Sequence, residues 1–223
     1  MALSTVAKLT IGLGTVGGVA GSAVGVNYLI SKGPSISELI KSKNPEKRLL
    51  DKNSSSELWK AAWKAYREAN KNEEKDIWGI EGWKKGDATT VEEAPEAFKK
   101  GCESRIEGSS KLYDEVVNYC TRKTILADLV GDDPNRKLLA KVEGGNTDAW
   151  KSAWAEYKKE GTNHNGSGEN DWKLSDWSSV NSSTEAAGSF MDKCKSNSEK
   201  EGHDTSTLLY QKLLKYCTTK ISE

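Results

Sequence analysis

Residues that build catalytic or metal centres are scarce in this sequence. It has two histidines, His164 and His203, both within polar stretches, and its four cysteines form no C-x2-C pair. A structural zinc site is normally built from closely spaced cysteine and histidine ligands. We therefore expect no metal and no other cofactor, and two loop histidines give no support to Ser-His-Asp catalysis.

An excess of charge of one sign is also missing. The 33 basic and 33 acidic residues give a formal net charge of +0, and lysine and arginine form no concentrated run. A protein that follows a phosphate backbone normally carries such a concentration on one face. Nucleic acid is therefore not an expected partner.

Strand signals are weak as well. The chain has only four prolines, and after the N-terminus few segments show the alternating β-branched pattern that is typical of strands. The sequence therefore predicts an all-α fold. Hydrophobic residues make up 35% of the chain and charged residues 30%, so the eight tryptophans must supply much of a thin core.

One long stretch, from Leu9 to Ser31, carries no charge. At about 1.5 Å per residue, a helix of this length reaches roughly 35 Å, enough to cross a hydrocarbon core of about 30 Å. We predict that residues 1–34 form a transmembrane or signal-like anchor followed by a tether. Cleavage near the small residues Ala20–Ala23 is the alternative, and it would release a secreted protein.

Glycines give this segment a second pattern. Pairs of glycines four residues apart place small side chains along one helix face, which allows membrane helices to pack closely. The glycines concerned are Gly14, Gly17, Gly18, Gly21 and Gly25. Residues 12–17 also fit G-x-G-x-x-G, but the preceding strand and the βαβ context of a dinucleotide site are missing.

Two tryptophans and a tyrosine with i, i+4, i+7 spacing occur twice in the chain. Residues with this spacing share one face of a helix. The pattern predicts the core stripe of an amphipathic helix rather than an aromatic ligand-binding box. The residues are Trp59, Trp63 and Tyr66 in the first copy and Trp150, Trp154 and Tyr157 in the second.

Other aromatic residues and the cysteines recur in the same order. The matched residues are Trp78, Trp83, Phe98, Cys102 and Cys120 in the first copy and Trp172, Trp177, Phe190, Cys194 and Cys217 in the second. Duplication on this scale predicts two tandem, similar helical bundles, residues 35–124 and 125–223.

Each predicted bundle contains four helical pieces and a tryptophan-containing connector. In the first bundle we expect helices at about 35–50, 55–71, 92–104 and 109–123. Glycines break the connector between the second and third helices. We expect the two connector tryptophans to close the open side of the bundle and to differ in burial.

The cysteines occupy matching places near the ends of the last two helices of each bundle. We predict one disulfide per bundle, Cys102 with Cys120 and Cys194 with Cys217. Each bond would close a loop of about 19 to 24 residues and stabilise its bundle by roughly 3 kcal/mol. Lasting disulfides indicate an oxidising, extracytoplasmic compartment. Two pairs of buried free thiols remain the alternative.

The chain resembles a family, the large sets of paralogous membrane-associated or surface proteins of haemotropic mycoplasmas. The likeness rests on the glycine- and alanine-rich start (Thr10 to Ile30), the Trp59-x3-Trp63-x2-Tyr66 segment and the Tyr-Cys-Thr sequences at 119–121 and 216–218. It covers most of the chain. The resemblance implies an exported or membrane-associated protein on a wall-less cell that lives on erythrocytes, and it implies no catalytic residues.

We therefore expect a non-enzymatic surface protein with two helical modules for display or host interaction, in an antigenic or adhesive role. The expected location is the cell membrane with the modules outside, or secretion if the N-terminal segment is cleaved. Expected partners are the membrane and a host cell-surface or plasma protein. The polar loop 162–169 would belong to the exposed face.

Two other functions remain open. A membrane scaffold would form homo-oligomers through the glycine face of the N-terminal segment. A hydrolase would use acidic pairs such as Glu73-Glu74 or Glu92-Glu93, but adjacent acids at helix ends normally face water rather than a catalytic cleft. We therefore predict that the chain is not an enzyme.

Overall fold

The structure is a computed structural model that describes residues 33–86, 92–159 and 171–221. The predicted anchor, its cleavage segment and its glycines lie outside these residues, so the anchor stays a prediction. Among the residues that are described, no helix is long and apolar enough to cross a membrane.

The described chain is mostly helical, and its longer helices and its strands follow the same order in two halves, residues 35–124 and 125–221, whereas the 3₁₀ turns and one short helix of the second half do not repeat. The first half contains α1 (Ile36–Lys43), β1 (Lys47–Leu49), α2 (Ser56–Asn70), α3 (Glu96–Ile106), a 3₁₀ turn (Ser110–Leu112), α4 (Tyr113–Tyr119) and β2 (Thr121–Lys123). The second half contains α5 (Leu126–Gly131), β3 (Arg136–Leu138), a 3₁₀ turn (Glu143–Gly145), α6 (Asp148–Lys159), α7 (Trp177–Val180), α8 (Gly188–Ser198), α9 (Leu208–Cys217) and β4 (Thr218–Lys220).

Short strands correct the prediction of a purely helical chain. β1 pairs antiparallel with β2, and β3 pairs antiparallel with β4, each over three residues. In each half, one strand follows the first helix and the other follows the second cysteine. The strand pair therefore joins the beginning of each half to its end. Strands of this length are too short to show the alternation on which sequence prediction depends.

The strands also change the helix boundaries that the sequence predicts. The helix expected at 35–50 ends at Lys43, and the one expected at 109–123 ends at Tyr119. The helix expected at 92–104 begins at Glu96, because Pro95 occupies its N-cap position. Proline has no N–H to donate and is well tolerated at a helix start.

Helix α2 forms because its sequence combines a cap, good helix formers and an apolar stripe. The Ser55 side chain accepts a hydrogen bond from the N–H of Leu58 at the N-terminus, which satisfies one of the unpaired donors of the first turn. Its buried face is formed by Trp59, Ala62, Trp63, Tyr66 and Asn70. Burying each tryptophan contributes about 2–3 kcal/mol before the entropy of folding is counted.

Two aromatic clusters fill the two halves, and their ring geometry repeats. Trp78 stacks on Phe98 with centroids 5.4 Å apart and an interplanar angle of 16°. In the second half, Trp172 stacks on Phe190 at 5.5 Å and 21°. The predicted duplication is therefore matched by two similarly packed cores, one in each half.

The two halves meet at Thr124, and the described residues from Pro34 onward belong to one compact unit. The Thr124 hydroxyl donates to the carbonyl of Pro45 at 2.7 Å, and its N–H donates to the carbonyl of Glu46 at 2.8 Å. Its own carbonyl accepts from the N–H of Gly202, in the second half, at 3.0 Å. The expected boundary between 124 and 125 therefore falls at a buried residue that is bonded to both halves.

Ion pairs reinforce this junction. Arg122 forms a two-pronged pair with Asp128, at 2.6 and 2.7 Å. Burial raises the pKa of Asp128, but hydrogen bonds from Arg122 and from the Ile125 N–H outweigh it and hold the pKa below its ordinary value. Hydrogen bonds between charged groups in this bidentate geometry are among the stronger hydrogen bonds in proteins.

Candidate functional site

Both predicted disulfides are present. Cys102 is bonded to Cys120 with a Cα–Cα distance of 5.5 Å, and Cys194 is bonded to Cys217 with a distance of 5.4 Å. All four side chains are buried, and no cysteine is free. The alternative of buried free thiols is not what the structure shows.

The six residues of the two aromatic stripes are all buried. Tyr66, Trp154 and Tyr157 are 0% exposed, and the remaining members are at most 7% exposed. Each stripe packs against the phenylalanine of its own half. These rings therefore belong to the two cores, as the spacing predicts, and the site must be sought on the surface around them.

A buried polar network that the sequence reasoning missed fixes the connector of the first half. The Tyr66 hydroxyl donates to the carboxylate of Asp76. That carboxylate also accepts from the N–H groups of Trp78, at 2.9 Å, and Ile80, at 2.8 Å. Asp76 is only 5% exposed. The sequence feature that could have predicted this network is the aspartate three positions before Gly79, because aspartate side chains commonly accept hydrogen bonds from backbone N–H groups in such turns.

The same tyrosine position contacts the connector in both halves, and the Tyr66 hydroxyl accepts from the N–H of Trp78 at 3.0 Å. Burial raises the pKa of Tyr66 far above its ordinary value, and the hydrogen bond to Asp76 raises it further. Burial raises the pKa of Tyr157 to about 12. The Tyr157 hydroxyl accepts from the N–H of Trp172 at 3.1 Å. Both phenols stay protonated at neutral pH, so they hold the connector in place rather than act as bases.

The connector tryptophans follow the prediction only in part. Trp78 and Trp83 are both partly exposed in the first half, whereas Trp172 is 8% and Trp177 2% exposed in the second. In the first half the backbone turns at Gly79, Gly82 and Gly86, all of which have positive φ.

The acidic pairs considered for a hydrolase lie on the surface in ion pairs. Glu92 contacts Arg67 at 3.0 Å, and Glu93 contacts Lys60 at 2.7 Å. The hydrogen bond from Lys60 lowers the pKa of Glu93 below its ordinary value. A general acid requires the opposite shift, produced by burial.

Within residues 33–86, 92–159 and 171–221, no group of three or more histidine, cysteine, aspartate or glutamate side chains could hold a metal ion. His203 is exposed, and His164 lies outside the described residues.

A groove of about 760 Å³ lies where the first half meets the second, and we call it the junction groove. Its apolar side is the outer face of α2, formed by Leu58, Ala61 and Ala65, together with the edge of the buried Ala62. Its opposite wall includes Ile125 and Glu201 of the second half. An apolar floor with a polar rim is typical of sites that bind another molecule.

The equivalent surface of the second half is smaller and more polar. On α6, Ala149, Ser152 and Glu156 stand where α2 has Leu58, Ala61 and Ala65, and the cavity there measures about 350 Å³. The apolar floor is therefore a property of the first half alone. The repeated core does not require it.

Comparisons with known proteins return no relatives. No protein-family model, curated protein or solved structure matches this chain. The proposals below therefore depend on the sequence and on the geometry described above.

Proposed function

We propose that this chain is an exported, non-enzymatic surface protein whose two disulfide-bonded helical halves lie outside the cytoplasm and bind a partner. The observation that carries the proposal is the pair of equivalent disulfides, one in each half. Disulfides persist in oxidising compartments and are rare in the cytosol. The uncharged stretch from Leu9 to Ser31 supplies the export signal or membrane anchor.

Physical reasons favour disulfides in cores of this size. Each half buries one aromatic cluster, and small cores leave little net stability once the entropy of folding is counted. Each disulfide joins the second-to-last helix of its half to the end of the last one, with sequence separations of 18 and 23. A link of this length contributes roughly 3 kcal/mol by restricting the unfolded chain.

The surface supports a binding role more than a catalytic one. The junction groove exposes an apolar floor on α2, where Leu58 is 36% exposed. The acidic pairs, in contrast, are spread over the surface in separate ion pairs. In the proposed role, the membrane is contacted by the N-terminal segment, and a host cell-surface or plasma protein is contacted by the helical halves.

Protease treatment of intact cells tests this proposal. Exposed lysines in both halves, such as Lys64 and Lys137, offer trypsin sites. Mass spectrometry should detect peptides of both halves after brief treatment of intact cells. A cytoplasmic protein serves as the control for lysis. If peptides of both halves appear only after permeabilisation, the proposed location is wrong.

A further inference from the structure

A second groove, confined to the second half, differs in charge from every other surface described above. This lysine groove has a volume of about 370 Å³ and lies between α8 and the start of α9. Four lysines line it, and Asp171 is the only carboxylate among its lining residues. The lysines are Lys173, Lys193, Lys200 and Lys212.

The first half has no counterpart of these charges. When the halves are aligned on the first cysteine of each, Lys193 corresponds to Gly101 and Lys200 to Gly108. A Cβ atom on Gly101 would lie 3.2 Å from the ring of Trp78. A side chain at position 101 would therefore meet Trp78 in the first half, whereas the second half has exposed lysines at both equivalent positions.

A third lysine stands at an unfavourable backbone position. Lys173 has a φ of 50°, and it is the one non-glycine residue with positive φ among the residues that the structure describes. Its counterpart is Gly79, with a φ of 65°. Left-handed backbone disfavours a lysine relative to glycine. The fold alone therefore gives no reason for a lysine at this place.

The fourth lysine replaces a carboxylate that completes the first half. There, Glu115 accepts hydrogen bonds from the indole N–H of Trp78, at 2.6 Å, and from Arg105, at 2.8 Å. The Arg105 guanidinium also lies 4.0 Å from the centre of the Trp78 ring. When the halves are aligned on the second cysteine of each, Lys212 corresponds to Glu115, so the second half lacks this acceptor. It forms an ion pair with Asp171 instead, at 2.6 Å.

Two polar side chains that line the lysine groove make no hydrogen bond to a described residue. Trp172 is 8% exposed, and its indole N–H has no acceptor among the described residues. Asn197, which corresponds to Arg105, is 4% exposed, and its side-chain amide makes no hydrogen bond to a described residue. Neither group is among the buried side-chain atoms that lack a partner, so both remain accessible from the groove and available to a carboxylate of a ligand.

From this comparison we infer that the lysine groove binds an acidic peptide segment of a partner protein. A carboxylate of the partner takes the role that Glu115 plays in the first half. It accepts from the Trp172 indole and the Asn197 amide, and the lysines neutralise it and its acidic neighbours. Leu208, at the rim, is 70% exposed and offers an apolar contact that a peptide uses and a simple inorganic anion does not. This inference rests on the interaction role proposed above and specifies its chemistry.

Fluorescence anisotropy of a labelled hexaglutamate peptide, with the full chain in nonionic detergent at low salt, tests the inference. Hexaglutamine is the neutral control peptide. The double variant Lys193→Gln/Lys200→Gln should bind hexaglutamate roughly tenfold more weakly, because exposed ion pairs are individually weak and two are lost. The matched variant Lys137→Gln/Lys195→Gln removes the same charge outside the groove and should bind like the original chain.

A second variant rebuilds the first half's arrangement in the second. Asn197→Arg/Lys212→Glu supplies an internal carboxylate and its cation, so it should fold normally and lose hexaglutamate binding. Near-ultraviolet circular dichroism checks the fold of each variant. The inference is overturned if hexaglutamine binds equally well or if both groove variants bind like the matched control. It is also overturned if inorganic phosphate or a sulfated oligosaccharide displaces the peptide at lower concentration than unlabelled hexaglutamate.

These outcomes are separate from the test of location. The binding assay uses purified protein, so it gives the same result wherever the protein resides. If peptides are exposed on intact cells but hexaglutamate does not bind, the proposed binding role of the lysine groove is wrong and the proposed surface role stands. If hexaglutamate binds but no peptides are exposed on intact cells, the surface role is wrong and the binding role of the groove stands.

Discussion

In the first half, Trp63 and Tyr66 stack with ring centroids 5.7 Å apart and an angle of 16°. In the second, Trp154 and Tyr157 stack at 5.7 Å and 15°. The faces above these rings differ, since the first is closed by Glu115 and its partners and the second is lined by lysines. A closely packed interior tolerates little change, whereas a surface is free to diverge. Duplication of a core thus supplies two scaffolds on which separate binding surfaces can form.

Removing the central tryptophan should give the largest effect in either half. We expect Trp154→Ala to lower the free energy of unfolding by about 3–5 kcal/mol, and Trp63→Ala by slightly less. Trp154 is fully buried and donates to the carbonyl of Ser183 at 3.1 Å, whereas Trp63 is 7% exposed. Urea denaturation followed by circular dichroism measures both. The exposed Leu208→Ala is the control and should change little. A loss below about 1 kcal/mol in both tryptophan variants would contradict the shared core.

Removing either disulfide should cost nearly the same amount. The variants Cys102→Ala/Cys120→Ala and Cys194→Ala/Cys217→Ala should each lose roughly 3 kcal/mol, because the separations of 18 and 23 residues are similar in the logarithmic loop model. Denaturation without reductant compares them with the original chain. If reductant leaves the stability of the original chain unchanged, the disulfides do not contribute as described.

Removing the tyrosine hydroxyl should destabilise the first half more than the second. Tyr66→Phe removes an acceptor of the Trp78 N–H and also leaves the buried Asp76 carboxylate without one of its donors, and we expect a loss of about 1–3 kcal/mol. Tyr157→Phe removes the acceptor of the Trp172 N–H and should cost about 1 kcal/mol. Thermal unfolding of the two variants at neutral pH gives the comparison. Equal losses would show that Asp76 does not distinguish the halves.

The Arg122–Asp128 pair should make the junction sensitive to acid. The pKa of Asp128 is lowered in the folded protein, so its stabilising contribution is complete above the unfolded value of about 3.9. It is lost as the pH falls through the lowered folded pKa. At neutral pH, Asp128→Asn should cost about 1–2 kcal/mol. The stabilities of the variant and of the original chain should begin to converge below about pH 4 and should meet only below the lowered folded pKa. Unfolding measured between pH 7 and pH 2 shows whether they do.

The second half contains an internal control for that experiment. Thr219 stands where the first half has Arg122, so no equivalent pair forms at the end of the chain. Thr219→Arg should leave both the stability and its pH dependence nearly unchanged. A matching acid effect in this variant would mean that general charge, rather than the junction pair, controls the response.

Much of the interior follows from the sequence. The doubled Trp-x3-Trp-x2-Tyr spacing predicts the two buried stripes, and the matched cysteines predict both disulfides, because periodicity and duplication are visible along the chain. The strands were missed because pairs such as Leu49 with Thr121 join residues far apart over only three positions. The role of Asp76 was missed because its ligands are backbone N–H groups, which leave no pattern in the side chains.

The functional surfaces were the least predictable part. The lysines at 173, 193, 200 and 212 are scattered along the sequence and form no run, so their charge concentrates only when the helices pack. The alanines of the junction groove look like ordinary helix formers. An alignment of the two halves could have predicted the lysine groove, because three of its lysines align with glycines of the first half.

The central claim is that each half carries its own disulfide in the protein as it is exported. It is tested most directly by alkylating free thiols in intact cells, digesting the protein without reductant and identifying linked peptides by mass spectrometry. The predicted result is one link between residues 102 and 120 and another between 194 and 217, with no alkylated cysteine. Alkylated thiols at all four positions would contradict both the disulfides and the extracytoplasmic location inferred from them.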